Sequence, residues 1–159
     1  MSRSYRIERI QRVPRPLSEV FAFFSDAHNL EAITPDFMGF QILTPAPIVM
    51  AAGTRIDYQI HLAGIPVRWR TAIDIFEPER RFVDRQVHGP YRRWHHRHEF
   101  VPLGPATLVI DVVDYELPLG PLGTLAHTLA VRATLERIFD HRRVVIARLF
   151  RAPADVTAR

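Results

Sequence analysis

Six strand-like segments follow one another between residues 37 and 117, with only short turns between them. In the clearest segment, residues 55–62, apolar Ile56, Tyr58 and Ile60 alternate with polar neighbours, which is typical of a strand with one buried face. Turns of this length leave no room for the crossover helices that parallel strands require. The segments therefore predict an antiparallel meander.

Helical periodicity lies on both sides of the meander. A charged, partly alternating strand at residues 5–13 precedes the apolar positions 17, 20, 21 and 24, whose spacing predicts a short helix. A second short helix is predicted to end at Thr34-Pro35, since proline disfavours helix at the residue before it. After Gly120, apolar residues recur at near-helical spacing for about 30 residues, a length of about 45 Å.

These elements together predict an α+β fold, in which a curved seven-stranded antiparallel sheet wraps around the long C-terminal helix. The two short helices after the first strand are expected to close one end of the sheet. Because no repeat or linker divides the chain, we assign residues 1–150 to a single domain and residues 151–159 to a disordered tail.

Composition excludes several classes of function. The chain has 159 residues and no cysteine, which rules out disulfides, thiolate catalysis and cysteine-ligated metal sites. Its first residues lack the apolar segment of a signal peptide, and no apolar run approaches the length of a membrane span. We therefore expect a cytoplasmic protein without stable membrane insertion.

The net charge of +4 comes mostly from arginine, with pairs such as Arg92-Arg93 and Arg142-Arg143. Such pairs could bind nucleic acid or an anionic membrane. Acidic residues are interspersed, however, and no nucleic-acid motif accompanies the charge, so the sequence favours a solvated surface and no nucleic-acid partner. Histidines in the helical segments, such as His127, are likewise expected to face solvent. The oligomeric state stays open.

Two strands around a Gly89-Pro90 turn, residues 82–100, carry the most unusual pattern in the chain. Each has a face that mixes aromatic with ionisable side chains, at positions 82, 84, 86 and 88 on the first strand and 94, 96, 98 and 100 on the second. An ordinary sheet with one wet face would separate the two kinds. Facing inward, they would line a cavity with an apolar body and a few polar groups.

Inward-facing positions of the predicted sheet supply the candidate ligand-binding residues. The set combines aromatic side chains with groups that can donate or accept hydrogen bonds. It consists of Tyr58, Trp69, Phe82, Asp84, Gln86, Trp94, His96, His98, Asp111 and Tyr115.

The chain also resembles a known family, at positions spread over residues 5–150. The matching residues are Val20-Phe21, Ser25-Asp26, Asn29-Leu30, Thr34-Pro35, Gly64-Ile65-Pro66, Trp69, Phe82, Asp84, Gln86, Gly89-Pro90-Tyr91, Trp94, His96, His98, Phe100, Asp111, Tyr115, Leu117-Pro118 and Gly120. On these residues the chain is similar to the START-like helix-grip (SRPBCC) superfamily. Within it, the chain is most similar to uncharacterised bacterial ligand-binding SRPBCC domain proteins, which are related to polyketide cyclase/dehydrase and coenzyme-Q-binding proteins. The resemblance implies a helix-grip fold with a cavity and no metal, and it supplies no catalytic residues.

His96 and His98 lie two positions apart and could hold a metal ion together with Asp84 or Asp111, because imidazole and carboxylate are common metal ligands. The alternative is a buried hydrogen-bonded network in which the aspartates fix the histidine tautomers. A His-x-His pair on a strand is common by chance. We therefore predict no metal ion and no cofactor.

The same four residues could carry acid–base catalysis of an aldol-type cyclisation or a dehydration, with a tyrosine donating a hydrogen bond to the enolate oxygen. Alternatively, they only orient a ligand. Because catalysis needs a geometry that spacing does not supply, we favour non-catalytic binding of a small hydrophobic or amphipathic molecule, such as a lipid, isoprenoid, quinone or polyketide. A polyketide cyclase/dehydratase-type enzyme that uses a His/Asp pair is the second hypothesis, and a protein-interaction module is the third.

Overall fold

The computed structural model describes residues 3–151. Its elements follow the predicted order, with a short 3₁₀ helix and a π-helical turn in addition. They are β1 (Ser4–Val13), α1 (Leu17–Phe24), α2 (Asn29–Ala32), the 3₁₀ helix Asp36–Met38, β2 (Gln41–Ile42), β3 (Arg55–Leu62), β4 (Ile65–Glu77), β5 (Arg81–His88), β6 (Arg93–Leu103), β7 (Ala106–Glu116), α3 (Gly120–Ala126), the π-helical turn His127–Val131 and α4 (Arg132–Leu149).

The seven strands form one antiparallel sheet in the order β1-β7-β6-β5-β4-β3-β2. Consecutive hairpins build the sheet from β2 to β7, and β1 pairs with β7 at the far edge. Register shifts between Arg70 and Thr71 and between Ile73 and Ile75 interrupt the pairing of β4 with β5. Irregularities of this kind bend a strand and increase its twist, which favours a curved sheet. The predicted α+β helix-grip fold is confirmed.

The C-terminal helix packs its apolar stripe on the concave face of this sheet. Leu135 and Phe139 are buried in one core cluster with Val113 of β7, and Ile146 is buried in a second cluster with Phe100 of β6. A side chain of this size contributes about 1.5–3 kcal/mol when it is removed from water. The helix is thus attached to the sheet at two places along its length.

Helix α1 closes one end of the sheet, as the sequence predicts. Pro16 precedes its first turn, where a missing N–H leaves no hydrogen bond unmade. The helix buries Val20 and Phe21, and the Phe21 ring meets the Phe100 ring edge to face with 5.2 Å between centroids. The Ser25 hydroxyl donates to the Phe21 carbonyl at 2.7 Å, where the helix ends.

Two features differ from the sequence-based expectations. The first of the six predicted strand segments, which begins after residue 37 and includes Phe40, Ile42 and Leu43, is reduced to Gln41–Ile42, and Gly39 turns the chain in a left-handed conformation with φ +48° just before it. The C-terminal helix is interrupted by the π-helical turn, which periodicity alone does not reveal. Apart from Arg151, the predicted tail lies outside the described residues. Within residues 3–151, no helix is both long and apolar enough to cross a membrane.

Candidate functional site

A cavity of about 190 Å³ lies between the sheet and the C-terminal helix and is partly open to solvent. Strands β3 to β6 supply one wall, α4 supplies the opposite wall, and the segment from α1 to β2 closes the end. Most of the lining is apolar, with Phe24, Leu30, Ile60 and Ile138 among the contributors. Its polar groups concentrate where β5, β6 and α4 meet.

Strand register brings the four predicted polar residues together. On β6, His96 lies directly opposite Asp84 of β5, and His98 lies directly opposite Asp111 of β7. Because residues two apart on a strand point to the same face, all four side chains lie on the concave side. All of them are buried or nearly so, with 5–6% of His96, His98 and Asp111 exposed.

The four side chains form a closed ring of polar contacts. His96 Nε2 donates to Asp111 Oδ1 at 3.0 Å, and His98 Nε2 donates to Asp84 Oδ2 at 2.9 Å. His98 Nδ1 lies 2.8 Å from Asp111 Oδ1, whereas His96 Nδ1 lies 3.8 Å from Asp84 Oδ2. Both ring nitrogens of His98 therefore face a carboxylate at close range, but only one nitrogen of His96 does so.

This asymmetry gives the two histidines opposite charge preferences. Burial opposes a charge on His98, but its contacts with Asp111 and Asp84 outweigh burial and raise the pKa of His98. Burial and the positive charge of His98 lower the pKa of His96, against the pull of Asp111. We infer that His98 is the cationic member of the pair and His96 the neutral one. With Nε2 as its donor, neutral His96 keeps Nδ1 as an acceptor.

The two aspartates stay ionised in spite of their burial. Burial raises the pKa of each, but hydrogen bonds from the histidines and the nearby positive charges together more than compensate, so the pKa of Asp84 is lowered and that of Asp111 lies well below its usual range. Arg142 also contributes, because its Nη1 lies 3.7 Å from Asp111 Oδ2. With the proton on His98, which its raised pKa favours, the two carboxylates, the imidazolium and the Arg142 guanidinium make a cluster with no net charge.

Arg142 is a charged residue of the cavity wall that sequence reasoning misses. The sequence favours a solvated surface for it, but its side chain is only 11% exposed and lines the cavity. The helical spacing does indicate burial of this residue, because position 142 shares one face of α4 with the buried positions 135, 139 and 146. The Nε and Nη1 atoms of Arg142 are buried without a hydrogen-bond partner, and so is Nε1 of Trp69, which also lines the cavity.

An aromatic belt, defined as Tyr58, Trp69, Tyr91 and Trp94, surrounds the apolar part of the cavity. The Trp69 ring stacks on the Tyr58 ring at 5.8 Å and meets the Trp94 ring edge to face at 5.3 Å. Burial raises the pKa of both tyrosines, and near neutral pH their hydroxyls keep the proton. The belt therefore offers flat apolar surface together with hydrogen-bond donors.

The structure brings seven of the ten predicted ligand-binding residues to the cavity wall. They are Tyr58, Trp69, Phe82, Asp84, Trp94, His96 and His98.

The other three predicted residues, Gln86, Asp111 and Tyr115, do not line it. The Gln86 amide instead holds the β5–β6 turn, donating to the Tyr91 carbonyl at 2.6 Å and accepting from the Tyr91 N–H at 3.1 Å. Asp111 lies behind the histidines, and the Tyr115 hydroxyl bonds to His127 Nε2 at 2.8 Å. The expectation that His127 faces solvent is wrong, because this helical histidine is 7% exposed.

A metal ion would compete with this network. One ligand atom from each of Asp84, His96 and His98 lies within 4.8 Å of the other two. Both Nε2 atoms already donate to carboxylates, and the Arg142 guanidinium supplies positive charge to the same cluster. The prediction that no metal binds here stays a prediction.

The sequence matches the family model described as "Polyketide cyclase / dehydrase and lipid transport" over residues 13–139. The chain belongs to this family. The resemblance to START-like helix-grip proteins is thereby confirmed. Among curated proteins, none matches the chain.

Several solved structures share the fold of this polyketide cyclase/dehydrase family member. The Zhui aromatase/cyclase from Streptomyces sp. R1128 is similar with a TM-score of 0.73 and 17% identity, over 98% of this chain and 100% of that one. The protein TTHA0849 from Thermus thermophilus has a TM-score of 0.69 and 19% identity, over 91% and 99%. Norcoclaurine synthase from Thalictrum flavum, solved with dopamine and hydroxybenzaldehyde, has a TM-score of 0.64 and 14% identity, over 92% and 88%. At these identities the likeness establishes the fold.

Proposed function

We propose that the protein binds a small hydrophobic or amphipathic molecule in the cavity without converting it. The observation that carries the proposal is a set of buried donor atoms without a hydrogen-bond partner, Nε and Nη1 of Arg142 and Nε1 of Trp69, on two residues in the wall of a mostly apolar cavity. A buried donor that makes no hydrogen bond costs about 1–3 kcal/mol. A ligand oxygen that accepts from these groups would remove this cost.

The donors indicate what the polar end of the ligand offers. Arg142 has no acceptor atom, the Trp69 indole only donates, and the Tyr58 and Tyr91 hydroxyls keep their protons. Because the polar cluster is neutral as a whole, a neutral acceptor adds no uncompensated charge. Carbonyl and quinone oxygens fit this description better than amines do.

The volume of the cavity limits the size of the apolar part of the ligand. A volume of about 190 Å³ is somewhat larger than the ~150 Å³ cavity that accommodates benzene in an engineered protein core. One or two rings would fit between the aromatic belt and α4, and a longer chain would leave through the open side. Apolar contact would contribute roughly 25 cal/mol per Å² of buried surface, before the cost of ordering the ligand.

Native mass spectrometry of the protein purified from its own host tests the proposal directly, since it detects a co-purifying small molecule. We expect a bound species in the wild type. In Ile138→Trp, a larger ring on the α4 wall fills the cavity, and the bound species should be lost. Val144→Trp is the matched control, because Val144 lies on the same helix, is 48% exposed and does not line the cavity.

Retention of the molecule by Ile138→Trp at the level of Val144→Trp would mean that it binds elsewhere. To separate loss of binding from loss of folding, thermal unfolding of both variants accompanies the measurement. A wild-type protein that carries no molecule, and that takes up no fluorescent apolar probe such as anilinonaphthalene sulfonate, would contradict the proposal.

One observation favours the second candidate, a cyclase/dehydratase-type enzyme. Neutral His96 lines the cavity with Nδ1 as an acceptor, and Asp111 fixes its tautomer, which is the arrangement of a general base. Proton abstraction beside a carbonyl can be followed without knowing the substrate, by NMR of hydrogen–deuterium exchange at the methyl group of acetophenone in D₂O. Exchange that exceeds the buffer rate and disappears in His96→Gln would favour the enzyme, and exchange at the buffer rate supports binding alone.

A further inference from the structure

A group of leucines projects from the start of the C-terminal helix into solvent. Leu119, Leu122, Leu125 and Leu129, which we call the leucine surface, are 75%, 68%, 55% and 73% exposed. Leu122, Leu125 and Leu129 are spaced at i, i+3 and i+7, so they share one helix face. Helix α3 has its main contacts with the π-helical turn that follows it, and the sheet does not cover this face.

The backbone conformation of Leu119 indicates that its exposed leucine side chain has a role. Leu119 has φ +68°, in the left-handed region that glycine and asparagine adopt with little strain and bulky side chains avoid. Gly123 makes the turn compact, because a Cβ there would clash with the Pro118 carbonyl oxygen. A strained position with a three-quarters exposed leucine is one where a polar residue or a glycine would improve both stability and solubility.

The charge around the leucine surface is basic. Residues 117–135 contain no aspartate or glutamate. Arg92 and Arg93 share Glu116 at 3.9 and 4.0 Å, where β7 ends just before the helix, and Arg132 pairs with Glu136 at 3.0 Å. Arginines still outnumber carboxylates here, and the three arginine side chains are 58–68% exposed. Arg3 is exposed and lies at the same end of the sheet, because it directly precedes Ser4, which pairs with Glu116 in the β1–β7 register.

We propose that the leucine surface docks the protein reversibly on an anionic lipid membrane, with the leucines among the acyl chains and the arginines at the phosphates. Exposed apolar side chains with a basic border are the pattern of helices that lie in a membrane interface. A second copy of the chain is a poorer occupant, because four partly exposed leucines alone cover less than the roughly 800 Å² per partner that a stable dimer buries.

Docking at this place brings the membrane close to the cavity. Leu129 precedes Thr134, the first residue of the C-terminal helix in the cavity wall, by five positions, which is about 7 Å along a helix. An apolar molecule could then pass between bilayer and cavity with little exposure to water. Docking itself does not depend on the proposed ligand binding, so the two can fail separately.

Co-sedimentation of the 159-residue chain with vesicles tests the proposal. We expect binding to phosphatidylcholine vesicles that contain about one quarter phosphatidylglycerol, and weaker binding to pure phosphatidylcholine or at high salt. Leu122→Gln/Leu129→Gln should bind about tenfold more weakly. The matched control is Leu149→Gln, since Leu149 is 53% exposed at the far end of α4 and should bind like the wild type.

Leu119→Asn separates docking from folding. Asparagine tolerates the left-handed conformation, so this variant should be at least as stable as the wild type in thermal unfolding and yet bind vesicles more weakly. Absence of vesicle binding in the wild type, or equal binding by the double leucine variant, would overturn the proposal. A wild-type dimer in light scattering that the double variant converts to a monomer would overturn it too, in favour of a second copy as the occupant.

Discussion

Asp111→Asn is the substitution that most directly tests the charge arrangement of the polar cluster. The Asp111 side chain is 8% exposed and meets His96 Nε2 at 3.0 Å, His98 Nδ1 at 2.8 Å and Arg142 Nη1 at 3.7 Å. Asparagine has nearly the same shape, but it removes the negative charge and brings an amide N–H₂ to a position whose three neighbouring polar atoms are all donors.

The expected decrease in the free energy of unfolding is that of removing one partner from a buried ion pair. Such changes cost about 3–5 kcal/mol, because the partner charge stays buried without compensation. His98 can release its proton, which limits the loss, so we expect about 3 kcal/mol. For a domain of this size, each kcal/mol lowers the melting temperature by about 2–4 °C, which gives a decrease of roughly 6–12 °C.

Asp114→Asn provides the matched control on the same strand. Asp114 accepts two hydrogen bonds from Arg6, at 2.7 and 3.0 Å, but the Arg6 side chain is 60% exposed. Surface pairs contribute about 0–1 kcal/mol, so this variant should melt less than about 4 °C below the wild type. Differential scanning calorimetry at neutral pH measures both. A decrease for Asp111→Asn no larger than that for Asp114→Asn would refute the buried, compensated cluster.

Further predictions concern pH, the helix and metal content. The free energy of unfolding should be greatest near pH 6.5. Below this pH, His96 takes up a proton more readily in the unfolded chain than in the folded protein, because folding lowers its pKa, and the folded state loses stability. Above this pH, the stabilisation from protonated His98 is lost as the group titrates through its raised pKa. Urea unfolding from about pH 5 to about pH 9 measures this. His98→Gln should flatten the alkaline side and also weaken the decrease on the acid side, because the positive charge of His98 is one cause of the lowered pKa of His96. In NMR titrations, His98 should deprotonate at higher pH than His96, and the reverse order would contradict the charge assignment. Tyr115→Phe should cost about 1–3 kcal/mol, because it leaves buried His127 without its partner; an unchanged urea midpoint would show that the contact is dispensable. Elemental analysis of purified protein should find zinc, iron and manganese below one equivalent, and a full equivalent would show that the cluster binds metal.

Strand periodicity was sufficient to predict most of the fold. Alternation along residues 55–62 and 82–100 reflects burial of one strand face, which is a local property of the sequence. The contacts of Asp84 and Asp111 with the histidines depend instead on register, which pairs His96 with Asp84 and His98 with Asp111. Composition and spacing can place these residues on one face, but not at hydrogen-bond distance.

The residues that the sequence did not predict are polar groups at apolar positions of a helix. Arg142 and His127 have the helical spacing of a buried stripe, but arginine and histidine are exposed far more often than they are buried. Their burial depends on partners from other elements, Asp111 for Arg142 and Tyr115 for His127. A local pattern contains no information about such partners, so burial of these two groups follows only from the folded arrangement.

The π-helical turn His127–Val131 has a consequence for how this helix can change by insertion or deletion. A π-helical turn completes the same 360° as an α-helical turn but uses one residue more. Removal of Ala130 would therefore leave a regular helix in which α3 keeps its direction relative to α4, whereas removal of a residue from a regular α-helical turn would rotate α3 by about 100°. The leucines would keep their orientation, and Leu135 and Phe139 would stay against the sheet. Within this helix, the π-helical turn is thus the place where the loss of one residue should leave both the outer surface and the cavity wall in position.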